Sequence, residues 1–96
     1  MTDTVVTIDQ IGTTIASAGT VTSVTLTAPP KLDASFWFIL IDQDDNGNYL
    51  DDVFCINTGS TPVPTGTVFP LYGHSFTNLV LKSISPDSSY TITTLP

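Results

Sequence analysis

The sequence predicts an all-β fold, an antiparallel β-sandwich of Ig-like or jelly-roll-like kind with about seven strands. Three observations carry this. Threonine, valine and isoleucine supply 33 of the 96 residues, threonine alone seventeen, and branching at Cβ stiffens a side chain in a way that suits a pleated strand. Strand-like runs alternate with turn signals at short spacing, as in sandwiches and small barrels. No stretch shows the apolar period of an amphipathic helix; only residues 13–18 could make a helical turn. The length fits one domain over residues 1–96. Within it, the more polar residues 1–20 are expected to form an extended N-terminal arm or an edge strand.

The expected strands are residues 4–9, 21–27, 35–42, 49–57, 67–72, 76–84 and 89–95. Residues 11–20, 28–30, 44–47, 59–66 and 85–88 separate them. In the last of these, Pro86 suits the second position of a type I turn, where its fixed φ is needed. Pro70 marks residues 67–72 as an edge, since proline donates no ladder hydrogen bond. The run from Phe36 to Ile41 is apolar on both faces. Phe36, Phe38 and Leu40 alternate with Trp37, Ile39 and Ile41, so one set enters the core and the other needs cover from within the chain or from another protein. Cys55, between Phe54 and Ile56, reads as a small buried hydrophobe.

Charge excludes whole classes of function. Nine aspartates, two lysines and no arginine or glutamate give a net charge of −7. Such a chain is unsuited to nucleic acid or to an anionic membrane. The N-terminus lacks the basic and apolar regions of a secretory signal, and a lone cysteine gives no internal disulfide, so folding in a reducing cytoplasm is expected.

Five of the nine aspartates lie in residues 42–52. Asp42, Asp44 and Asn46, followed by Gly47 and Asn48, match the first half of a calcium loop. The position of the final bidentate glutamate is Val53, so Asp51 or Asp52 would have to substitute. No cofactor is expected; calcium is the one candidate that this loop offers. The plainer reading is a hairpin with a type I′ turn at Asn46-Gly47. Its register pairs Asp45 with Asn48, Asp44 with Tyr49 and Leu40 with Val53, and sets Asp42 opposite Asp51. Like charges directly across a ladder repel, so that pair needs water or a cation.

No catalytic constellation emerges, and no enzyme is expected. His74 has no nucleophile elbow near it, and one histidine with one cysteine makes no zinc site. Trp37, Phe69, Tyr72 and His74 are instead the candidate contact residues: Trp37 from the doubly apolar run, the others from a glycine- and proline-rich segment whose aromatic side chains are of a kind frequent at interfaces.

The segment from Phe76 to Ser83, followed by Ser88 to Thr94, resembles the closing hairpin of small tailed-phage virion proteins, including capsid decoration (cement) proteins. The Thr/Ser-rich, acidic, arginine-free composition is similar too. The resemblance implies a non-catalytic β-sandwich bound to an icosahedral shell, often as a homo-oligomer. It would be assembled in the host cytoplasm and located in the virion, with capsid protein or other virion subunits as partners. The competing expectation is a calcium-dependent adhesion or carbohydrate-binding β module of a fibre or surface protein.

Overall fold

Six strands form one antiparallel sheet in the computed structural model, which describes residues 2–28, 37–57, 66–86 and 88–96. They are β1 (Thr2–Val6), β2 (Thr14–Ala28), β3 (Trp37–Gln43), β4 (Tyr49–Asn57), β5 (Val68–Ile84) and β6 (Ser89–Leu95), in the spatial order β1-β6-β2-β5-β3-β4. The expected separators at 28–30 and 59–66, and Phe36 in the apolar run, lie largely or wholly outside the described residues.

The sheet is folded over on itself in a sandwich-like arrangement. Three strand steps separate β3 from β6, about 14 Å in a flat sheet. Yet the rings of Phe38 on β3 and Tyr90 on β6 stack with centroids 4.0 Å apart. Two long strands make this possible. β2 and β5 have 15 and 17 residues, against the usual five or six. β6 pairs with residues 20–28 of β2, while β3 pairs with residues 78–84 of β5. Each long strand thus serves both layers and bends between them.

The bends explain why seven sequence runs become six strands. Residues 67–72 and 76–84 belong mostly to one strand, β5, joined through Tyr72 and Gly73 at φ 52° and 84°. Between the pairs Val21↔His74 and Ser23↔Pro70, three residues of β5 oppose Thr22 alone. Such a bulge turns the strand without ending it. Pro70 lies in the half of β5 that has only β2 beside it, as its missing N–H requires. Residues 13–18 are mostly strand rather than helical turn. Among the described residues, the one helical turn lies at Ile8–Gln10, where Gln10 Oε1 accepts from the Thr7 backbone N–H (2.7 Å) and hydroxyl (2.9 Å).

The core lies between the layers and gathers Val24, Leu26, Phe38, Leu40, Leu79, Leu81, Ile84, Tyr90 and Ile92, all almost fully buried. Phe54 and Ile56 of β4 pack against it, so Cys55 between them points outward and is exposed, contrary to expectation. At the expected 85–88 turn, the Ser88 hydroxyl donates to the Ser85 carbonyl at 2.7 Å and the Ser88 backbone N–H to the same carbonyl at 3.4 Å, while residue 87 lies outside the described residues.

The Tyr90 hydroxyl is buried and has no hydrogen-bond partner among the described residues, and burial pushes its pKa up to about 12. An unsatisfied buried hydroxyl costs stability, so Tyr90→Phe is expected to be neutral or stabilising near pH 7. The unfolded phenol ionises near pH 10, while the folded one stays neutral to about pH 12. The raised folded value therefore gives a contribution present in full below pH 10 and lost as pH rises towards 12. Denaturant midpoints across that range should fall for the wild type and fall less for the variant. A variant less stable at both ends would show that the hydroxyl is satisfied.

Candidate functional site: the rim between β4 and β5

The acidic hairpin forms, but its turn lies one residue earlier than expected. Gly47 N–H donates to the Asp44 carbonyl (3.1 Å) and Asp44 N–H to the Asn48 carbonyl (2.9 Å). Asp45 and Asn46 are the central pair, and only Gly47 has positive φ, at 84°. This is a type I turn closed by a left-handed glycine, the three-residue hairpin form. The expected pairings of Asp45 with Asn48, Asp44 with Tyr49 and Leu40 with Val53 are replaced by Gln43↔Tyr49 and Leu40↔Phe54. Nothing lies within 4 Å of a Cβ built on Gly47, so a substitution there acts through the backbone alone. Gly47→Val is expected to cost about 1–2 kcal/mol and to lower the thermal midpoint by several degrees. An unchanged midpoint would remove this turn geometry.

Asp42 does face Asp51 across the ladder, as the sequence suggests. The two carboxylates are relieved by donors. Asp42 is buried, and its Oδ1 accepts from the backbone N–H of Thr77 (2.9 Å) and Asn78 (3.0 Å) on β5. Asp51 is exposed, and its Oδ2 lies 3.4 Å from His74 Nε2.

The loop residues are likewise engaged locally. Asp44 Oδ1 accepts from Asn46 N–H (2.9 Å) and Asn48 N–H (2.8 Å), and Oδ2 from Asn48 Nδ2 (3.1 Å). These bonds hold its carboxyl below the usual value of 3.8. Among the described residues, no three His, Cys, Asp or Glu side chains converge as metal ligands. Asp42, Asp44 and Asp51 therefore face different donors instead of one centre, with Asn46 and Asn48 binding Asp44. Millimolar calcium is expected to leave the thermal midpoint unchanged. A rise of several degrees, abolished by Asp44→Ala, would show an ion site and favour the adhesion module.

His74 and Asp51 mark a seam. β4 and β5 are not hydrogen-bonded neighbours in the sheet. Their side chains nevertheless meet at two points, His74 with Asp51 and Phe69 with Phe54, whose ring centroids are 5.5 Å apart. The seam is apolar at one end and charged at the other.

The four candidate contact residues separate by environment. Phe69 is half-buried and leans on the core. Trp37 sits on the outer side of β3, its Nε1 donating to Ser83 Oγ at 2.9 Å. His74 is half-exposed at the seam. Tyr72 is 91 % exposed, with its backbone in the left-handed region. Sequence reasoning missed Tyr49, Leu50 and Val68, all exposed apolar residues on the two seam strands. Tyr49 also hydrogen-bonds to Asp52, which raises its pKa. The available signal was their position beside an acidic turn and a proline-bearing edge. No family model, curated protein or solved structure matches the chain.

Proposed function

We propose that this chain is a non-enzymatic structural protein of a virion, a capsid decoration subunit that docks through the β4/β5 rim on the outer shell of a phage head. Tyr72 carries this reading. A non-glycine residue with positive φ is uncommon and costs free energy, and such residues cluster where the conformation has a use. Here the cost of φ 52° supports a ring that is 91 % exposed. Its own fold gains little from that ring, whereas a partner surface gains an aromatic anchor. Val68 on β5 and Tyr49 and Leu50 on β4 are further exposed apolar residues of the same two strands. The composition and the likeness of the C-terminal segment to small virion proteins point to the shell. Binding the assembled state would stabilise it by mass action.

The test is co-sedimentation with undecorated particles. Tyr72→Gly is expected to keep or raise the thermal midpoint, because glycine adopts positive φ freely, while pelleting with shells drops about tenfold or more. Wild-type chain that never pellets with shells, or a variant that pellets equally well, would overturn the reading.

A further inference from the structure

Two strands end the sheet, β1 and β4. A free edge offers unpaired N–H and C=O groups to another strand, and proteins block such edges with charge, proline or bulges. β4 carries Asp51, Asp52 and two register shifts. The one-sided half of β5 carries Pro70 and a bulge. β1 carries none of these beyond Asp3: its five residues keep unbroken register with β6. Exposed apolar residues lie on it and on adjoining segments, with Val5 on the strand, Ile8 and Ile11 just after it, and Leu95 at the end of β6. Among the described residues, no strand pairs with its outer side.

We propose that β1 is the site at which a second copy of this chain adds its own β1, antiparallel, extending the sheet across a two-fold axis. Charge and alternation choose both occupant and register. An axis normal to the sheet keeps its faces, so paired residues must share a face. Thr4 and Val6 lean inward, Asp3 and Val5 outward. A register centred on Asp3 opposes two carboxylates, which repel, and one centred on Val5 pairs fewer residues. Centring on Thr4 pairs all five residues of the strand. It sets Asp3 against the partner's Val5 and Thr4 against the partner's Thr4. The edge is thus self-complementary, as an isologous dimer requires. A basic foreign strand would find a single carboxylate here.

Sedimentation equilibrium of the full chain tests this. The wild type is expected to show a monomer–dimer equilibrium. Val5→Asp places a carboxylate against the partner's Asp3 twice per dimer and should weaken association about tenfold or more. Val5→Lys places an ammonium there and should preserve or tighten it, whereas an unregistered apolar contact would be lost in both variants. Val5 is 59 % exposed, so both variants should fold, and thermal midpoints check this. In a Cys55→Ser background, Thr4→Cys should cross-link to a dimer on oxidation and Thr2→Cys should not, because only directly opposed residues come within disulfide reach. A wild type monomeric at every concentration would overturn the proposal. So would Val5→Lys weakening association as much as Val5→Asp, or equal cross-linking at Thr2 and Thr4. The result is separable from shell docking: a monomer that pellets with shells refutes only the dimer, and a dimer that never pellets refutes only the docking.

Discussion

Phe38→Ala is expected to lower the thermal midpoint by on the order of 15 °C or more, the largest effect of any single substitution considered. The side chain is fully buried. It stacks on Tyr90 at 4.0 Å with an interplanar angle of 16°, and meets Phe54 at 6.1 Å. Truncating a buried phenylalanine costs about 3–5 kcal/mol through lost transfer energy and the cavity left behind. A domain of this size shifts by about 4–8 °C per kcal/mol, and total stabilities are only about 5–15 kcal/mol. Phe38 also joins the two halves of the folded sheet, so local collapse cannot refill the space cheaply. Trp37→Ala, one residue away on the outer side, should cost much less. Calorimetry on both variants checks the ordering. Equal losses would mean that the sheet does not close over Phe38.

Asp42→Ala should destabilise by about 2–4 kcal/mol, because two backbone N–H groups on β5 lose their acceptor and each unsatisfied group costs about 1–3 kcal/mol. Asp42→Asn should cost far less. Its Oδ1 can still accept from Thr77 and Asn78, and the repulsion from Asp51 disappears. Urea titrations with an unchanged slope would isolate the stability term. Asn as damaging as Ala would mean that the charge itself, and not the hydrogen-bond geometry, holds β5.

These two residues also show how sequence and structure divide the information. The Asp42–Asp51 pairing was legible from Asn46-Gly47, although the turn was misread. The turn starts one residue earlier, and an unpaired Leu50 restores the alignment at Asp42. The unpaired Val53 shifts it again before Leu40. Bulges of this kind leave no mark on hydrophobic alternation strong enough to read in one chain, since they answer to curvature imposed by the partner strands. What relieves Asp42 was equally hidden. Its donors lie 35 and 36 residues away on β5 and come together with it only in the folded sheet.

The same division holds for the candidate site. Tyr72 and His74 were visible as unusual residues between glycine and proline. That they lie in the bend of one long strand, with His74 reaching Asp51 across a seam that has no ladder, follows only from the folding of the sheet. The sequence by itself determined that the chain is all-β, roughly where its strands run, and that its acids outnumber its cations. These are properties of local stereochemistry and composition. Strand order, the joining of two runs into β5, the outward turn of Cys55 and the open edge at β1 were decided by tertiary structure. Each depends on which distant backbone and side-chain groups become neighbours when the sheet closes over its core.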